Sequence, residues 1–235
     1  MADEGFTDPR LAAIYDLFEG DRSDLAPYLA VATELGAATV VDIGCGTGVL
    51  ALQLASLGHS VVAVDPALAS LNVARAKPGA SRVRWIHGTA TDLPPLQADL
   101  AVMTANVAQA IIDSADWSAT LTAAHSALRP GGLLMFETRV PTGQPWLRWT
   151  RDHTHHVLDG IETWCDLLDA TGPLVTFRWT TVFPSGDRLT STSTLRFRFR
   201  PEVEADLAAH HFTVTDVRDA PDRPGREHVF LAQAD

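Results

Sequence analysis

Two cysteines, Cys45 and Cys165, are all that the 235-residue sequence contains. They are too few for a disulfide framework and too far apart for a metal site built on cysteine. Each reads as a small buried hydrophobe or a bystander thiol. No apolar run is long enough to cross a bilayer. The opening residues, Met-Ala-Asp-Glu-Gly, carry acid where a signal peptide needs base and then an apolar stretch. The expected compartment is therefore the cytoplasm. Basic residues are scarce: 18 Lys and Arg stand against 29 Asp and Glu, for a formal net charge of -11. Phosphate backbones are bound largely by clustered Lys and Arg. The one basic stretch, Arg196, Arg198 and Arg200, alternates along an expected strand and reads as its solvated outer face. Neither nucleic acid nor a membrane is expected as a partner. Internal repeats and low-complexity segments are also missing.

What is present suits one substantial core, or one core with a small added lobe. Residues 1–36 read as a helical lid. Asp8 caps a first helix with Pro9 at its first position. Leu11, Ile14, Tyr15 and Phe18 recur at helical spacing, and Gly20 stops the run. A second helix has Ser23 as its cap, Pro27 in its first turn and Gly36 at its end. From 37 to 145 short apolar strands alternate with helices. Strands are expected at 39–43, 61–64, 83–86, 100–103 and 133–136, and helices at 49–57, 67–76 and 118–128. Such alternation predicts a parallel sheet covered on both faces. Residues 146–200 form a β-rich insertion with a hairpin, 174–183 and 189–199, around the turn Pro184-Ser185-Gly186-Asp187. Residues 201–235 supply a helix at 201–210 and strands at 212–217 and 228–232.

The segment Asp42-Ile43-Gly44-Cys45-Gly46-Thr47-Gly48 joins the first strand to a helix. Its glycines permit positive φ and close approach of a ligand to the backbone. The helix behind it turns free N–H groups toward the loop. Asp65 ends the next strand, where an acid can bind both hydroxyls of a ribose. Loop and acid together predict a nucleoside cofactor. The dinucleotide fingerprint puts its last glycine three residues after the second; here the gap is two. Asp42 would also face a diphosphate unfavourably, whereas it suits a cationic amino group. Both features oppose a nicotinamide dehydrogenase.

These residues resemble a known family. Val40 to Gly48 is similar to the first motif of class I S-adenosylmethionine (SAM)-dependent methyltransferases. Val61 to Pro66 looks like their ribose motif, and Leu128 to Glu137 like the segment leading into their fifth strand. The resemblance implies an α/β, three-layer, Rossmann-like fold. Its seven-stranded sheet is mostly parallel with an antiparallel last strand, and a small β-hairpin insertion follows the fifth strand. It implies SAM as cofactor and S-adenosyl-L-homocysteine (SAH) as product. The expected contacts are Asp42, Gly44, Cys45, Gly46 and Gly48 around the methionine moiety, and Asp65 and Pro66 at the ribose. In one place the pattern departs. Thr89 stands where the family has an acid for the adenine amino group. Either Thr89 and the Ala90 N–H serve adenine, or Asp92 reaches back. The first is favoured because Leu93-Pro94 keeps the register.

The acceptor side is less defined. Asn106, after the fourth strand, either orients the acceptor, touches the cofactor or caps the next helix. Tyr15 either meets the SAM carboxylate or packs in the core. Glu137 and Arg139 follow the fifth strand, and His153, His155 and His156 come later. No acid or cysteine completes a metal set around these histidines. One of them, His153 or His156, is a candidate base for hydroxyl methylation, and Asn106 is the remaining catalytic candidate. The hairpin, carrying Phe177, Trp179 and Phe183, either roofs an apolar acceptor pocket or forms the interface of a homodimer. The expected acceptor is a small molecule. The competing reading is a non-catalytic SAM-binding or partner-binding module of the same fold.

Overall fold

The computed structural model describes residues 3–235; the first two residues of the expected lid lie outside that range. Helices α1 (Glu4–Thr7) and α2 (Pro9–Phe18) come first. The Asp8 carboxylate caps α2, accepting from the N–H of Arg10 at 2.8 Å and of Leu11 at 3.4 Å. Ser23 does not cap the next helix with its side chain. Its own N–H instead donates to Asp21 Oδ1 at 3.1 Å, and a short 3-10 turn leads into α3 (Ala26–Glu34).

The alternating region runs β1 (Thr39–Ile43), α4 (Val49–Ser56), β2 (Ser60–Asp65), α5 (Leu68–Ala76), β3 (Val83–His87), β4 (Ala98–Met103), α6 (Val107–Ala110), α7 (Ser114–Ala127) and β5 (Leu128–Arg139). Helix α7 starts at Ser114, ahead of the expected Ser118. Asp113 fixes that start by accepting from the N–H groups of Ala115 and Asp116. Next come α8 (Arg151–Thr154), β6 (His156–Leu158), β7 (Ile161–Thr171), β8 (Leu174–Val182), β9 (Arg188–Arg196), α9 (Arg200–Ala209), β10 (Phe212–Asp219) and β11 (Glu227–Ala234).

Seven strands form one sheet in the order β10-β11-β5-β4-β1-β2-β3. Strand β11 is antiparallel to both of its neighbours, and the other pairings are parallel. This is the expected Rossmann-like sheet. Its order reverses between β1 and β4, the switch point beside which ligands bind. One face packs Trp117 and Leu121 of α7 and Val203 and Leu207 of α9 against Phe136 and Phe230. Those two phenylalanines stack at 5.2 Å. The other face buries Tyr28, Val31, Leu50 and Leu54 against Val40, Leu100 and Met135. Each fully buried leucine of this kind contributes about 1.5–3 kcal/mol. The carboxyl ends of the strands are thereby held rigid.

The expected hairpin is part of a larger unit, a four-stranded antiparallel sheet in the order β6-β7-β8-β9. Strands β6 and β7 turn through Asp159 and Gly160, both at positive φ, with Leu158 opposite Ile161. Asp-Gly is a favoured two-residue hairpin turn. The basic stretch also differs from expectation. Strand β9 ends at Arg196, and Arg198 is only 3% exposed. It donates to the carbonyls of Ala108 and Ile111 at 3.0 and 2.9 Å and lies 4.7 Å from the Trp117 ring. A guanidinium has five donors to satisfy, and the carbonyls around α6 take two. Arg198 therefore rivets the second sheet to the first.

Candidate cofactor and acceptor site

Strand β1 runs into the glycine loop, which folds over the end of β2. The N–H groups of Gly44 and Cys45 both donate to the Val64 carbonyl, at 2.8 and 3.2 Å. Gly44, Gly46 and Gly48 all have positive φ. Their surroundings differ. A Cβ on Gly44 would lie 2.5 Å from Val107, and one on Gly48 would lie 2.5 Å from Trp85. A Cβ on Gly46 would meet nothing within 4 Å. Gly44 and Gly48 are thus packing glycines, and Gly46 faces open space.

Asp65 is held at the loop by two backbone bonds. Its Oδ2 accepts from Gly46 N–H and its Oδ1 from Ala67 N–H, each at 2.7 Å. Asp42 is 1% exposed, and neither of its oxygens meets a well-aimed donor. Burial, then the nearby Asp65 charge, lifts its carboxyl to about 7; Arg22 and the Ala51 N–H pull the other way. Burial likewise raises Asp65. The loop therefore holds two buried acids side by side, with Arg22 acting on Asp42 from a distance. Cys45 lies in the same loop, partly buried, and its thiol is pushed well above the usual range by burial and the two acids.

Helix α2 lies across this loop. The Thr47 hydroxyl donates to Asp16 at 2.5 Å, Lys77 forms an ion pair with Asp16, and Lys77 Nζ donates to the Thr47 carbonyl at 2.7 Å. Phe6 packs on Tyr15 at 5.5 Å. Burial and then Glu19 raise the Tyr15 hydroxyl pKa, so it is a neutral donor. At the far end, Thr89 and Asp92 close a capping box. Asp92 Oδ2 accepts from Thr89 N–H at 2.8 Å and from its hydroxyl at 3.3 Å. The residues that stood as alternatives form one hydrogen-bonded unit. Pro66 is exposed beside them, its carbonyl 3.1 Å from His87 Nε2, and Ala90 is buried.

Beyond β4 and β5 a cavity of about 140 Å³ opens, lined by Tyr15, Asp24, Tyr28, Ala105, Asn106, Glu137, Arg139, Arg223 and Glu227, among others. Ala105 and Asn106 both have positive φ. Asn106 occupies the N-cap position of α6 but makes no side-chain capping bond. Its N–H donates to Glu137 Oε1 at 2.8 Å and its Nδ2 to Glu227 Oε1 at 3.2 Å. Burial is the chief cause that lifts the Glu137 carboxyl to about 8. Arg139 and Arg223 both lie near Glu227, at 3.8 and 2.9 Å.

The expected aromatic pocket is not what the lobe builds. Phe177 packs on Trp149 at 4.7 Å, Trp179 is 38% exposed, and Phe183 lies under Arg10. The cavity is lined by charged and polar groups instead, because the inward side chains of β8 are spent on the lobe's own core of Trp146, Val175, Leu195 and Phe197. His153 and His156 are exposed on α8 and β6 and do not line the cavity. His153 bonds Thr150, and His155 bonds Glu162 at 2.8 Å. Among the described residues no three His, Cys, Asp or Glu side chains gather as a metal site. Glu137 and Glu227 are the residues whose roles the sequence did not disclose. The one signal was a charge ending the apolar run Leu133 to Phe136.

Residues 40–132 match the family model of a methyltransferase domain. The ubiquinone biosynthesis O-methyltransferase of Dinoroseobacter shibae is 36% identical over 102 residues, 42% of this chain and 40% of that protein. The cypemycin N-terminal methyltransferase of a Streptomyces species is 30% identical over 145 residues, covering 60% and 59%. The chain thus spans two fifths to three fifths of these curated relatives. A SAM-dependent methyltransferase from Clostridium acetobutylicum superposes with a TM-score of 0.78 at 18% identity, over 96% of this chain and 98% of that one. The fold is that of a Rossmann-like methyltransferase. Residues 40–132, from β1 into β5, are similar to the methyltransferase-domain family.

Proposed function

We propose that the protein transfers a methyl group from SAM to a small-molecule acceptor and releases SAH. The observation that carries this reading is the buried Asp42, whose two oxygens meet no well-aimed donor, beside Asp65 in the glycine loop. A cationic nucleoside fits such a centre, and the diphosphate of a nicotinamide cofactor opposes it. In this reading Asp65 and Pro66 hold the ribose. Gly46, whose missing side chain leaves open space, lets the methionine moiety approach the backbone with Gly44, Cys45 and Gly48. The Asp42 carboxylate attracts the amino group, and Tyr15 donates to the SAM carboxylate. Thr89, Ala90 and Asp92 line the adenine end.

Bound SAM supplies an electrophilic methyl on a sulfonium sulfur. The protein's part is alignment and exclusion of water. Helix α2, fastened to Thr47 through Asp16, covers the loop. Ala105 and Asn106, held in left-handed conformation, present the acceptor side at the end of β4. Residues 1–36 act as the lid, 37–145 as the cofactor core and 146–200 as the acceptor lobe, and 201–235 complete the sheet. The relatives' names cover O- and N-terminal methylation, so chemistry of both kinds is supported by kinship. The acidic net charge supports a small acceptor over nucleic acid. Exposed apolar side chains on the lobe, Val157 and Leu168 among them, support a homodimer through that sheet; a sedimentation mass of one chain would remove it.

Calorimetric titration tests the reading. SAM and SAH should bind saturably and NAD should not. A ligand at 100 times its Kd adds about 2.7 kcal/mol of stability, which a melting curve also detects. Asp65→Ala should weaken SAH binding by roughly ten-fold or more, the weight of a lost charge-assisted hydrogen bond. Saturable NAD binding without SAM binding would sink the proposal. SAM binding with no transfer of labelled methyl to any acceptor would favour the non-catalytic module.

A further inference from the structure

Glu137 is a buried carboxylate at 6% exposure, and its surroundings do not account for it. One oxygen accepts from Asn106 N–H; the other, Oε2, meets no donor. Among the described residues no Lys, Arg or His lies within 4.0 Å of it, since the nearby arginines are engaged by Glu227. Asn106 Oδ1 is a second buried acceptor without a donor. Its identity as oxygen is fixed by chemistry. Glu227, where ionised, can only accept, so the amide nitrogen must face it and the amide oxygen must point elsewhere. Both groups line the same 140 Å³ cavity. Burying such acceptors unpaired is costly, and two adjacent residues at positive φ, Ala105 and Asn106, add backbone strain at the same place. The next residue, Val107, is the one a Gly44 side chain would strike. The cavity therefore abuts the cofactor loop.

We propose that this cavity is the acceptor subsite and that it takes an ammonium group, so that nitrogen receives the methyl. The proposal rests on the methyltransferase reading above. An ammonium brings three N–H donors and the charge that Glu137 lacks. A hydroxyl brings one donor and no charge, and a phosphate or carboxylate would confront a bare carboxylate. The Glu137 carboxylate accepts one proton from the ammonium, leaving an amine with a free electron pair. That pair forms the new N–C bond to the methyl carbon while the C–S bond breaks, and the bonding electrons return to sulfur. The products are a methylated ammonium, a neutral thioether and one proton, which leaves Glu137 for solvent. Burial raises the Glu137 carboxyl to about 8, which narrows its gap to an alkyl amine at about 10.4 to roughly two units.

The test titrates ethylamine and ethanol, both small enough for the cavity, into SAH-saturated protein, followed by backbone amide NMR shifts at the ends of β4 and β5. Wild type, Glu137→Gln and Asn106→Gly are compared, the last being a substitution that relieves the left-handed strain while removing Oδ1. We expect saturable ethylammonium binding to wild type, weakened about ten-fold or more by Glu137→Gln, as for loss of a charged partner. Asn106→Gly should weaken it less, and ethanol should not saturate. SAH affinity should stay within about two-fold in both variants, given that neither residue is assigned to hold the cofactor's charge. Equal binding of ethylamine and ethanol, no ethylamine binding, or unchanged binding in Glu137→Gln overturns the proposal. Loss of SAH binding in folded Glu137→Gln also overturns it, by assigning the cavity to the cofactor's own amino group. Absence of SAH binding to wild type would instead strike the underlying methyltransferase reading.

Discussion

Gly44 and Gly46 are two residues apart and both left-handed, yet their missing side chains do different things. A methyl at Gly44 would collide with both branches of Val107, a side chain of the partly buried shell on the main core. Gly44→Ala should therefore cost about 2 kcal/mol or more, combining overpacking with αL strain. Gly46→Ala carries the αL strain of about 1 kcal/mol alone, but its methyl enters the open space assigned to the cofactor. Urea denaturation should show the larger loss in Gly44→Ala. SAH titration should show Gly46→Ala losing affinity while it stays folded. Equal stabilities would refute this division of labour.

Asp42 and Glu137 allow a pH prediction at the same scale. Burial raises both carboxyls in the folded chain, to about 7 and about 8. Around Asp42 stand Asp65 and Arg22; around Glu137 stand Asn106, Glu227, Arg139 and Asp24. Between its ordinary pKa and its raised folded one, each group binds more proton folded than unfolded. Stability is therefore lost as pH rises through that window. The ligand-free protein should melt lower at pH 8 than at pH 5.5, and Asp42→Asn should recover part of the difference while abolishing SAH binding. A flat profile in the wild type would contradict the burial of these acids. The glycine loop, Asp42 and Asp65 could be picked out of the sequence as candidates because they lie within one β1-α4-β2 unit. Asn106 was a candidate from the sequence, but its meeting with Glu137 and Glu227 was not legible, because it spans separations of 31 and 121 residues.

Helix α2 shows what an element adds. Its apolar spacing and the Asp8-Pro9 start foretold a helix, and nothing in that pattern told which loop it would cover. Asp16 supplies the answer through Thr47 and Lys77. If this contact holds the lid, Lys77→Ala should raise amide exchange along residues 9–18 and weaken SAH binding several-fold, as lost partly buried ion pairs of about 1 kcal/mol do. Unchanged exchange would mean that α2 is held by packing alone. The second sheet teaches the converse lesson. Its hairpin β8–β9 was legible from alternation and turn residues. Strands β6 and β7 were missed although Asp159-Gly160 is a strong turn signal, because the flanking run His153 to Leu158 is short and polar at its start. Arg198 was misread for a different reason: alternation predicts facing only while the strand lasts, and β9 stops at Arg196.

Across the whole molecule, two sheets divide the work. The seven-stranded sheet carries the cofactor motif at the carboxyl ends of its strands, where helices on both faces hold it rigid. The four-stranded sheet is attached through Arg198 and through Asp3, whose carboxylate accepts from the Ser191 and Ser193 hydroxyls. That second attachment joins the N-terminal segment ahead of α1 to β9 of the lobe. The latch between lid and core has one more property. Lys77 is the only lysine in the sequence, and its amine is engaged by Asp16 and the Thr47 carbonyl. An amine-selective reagent therefore has a single side-chain target, and that target is held on one side by Asp16 of α2. If that contact latches the proposed lid, Lys77 in the unmodified chain should be acylated more slowly when SAH is bound.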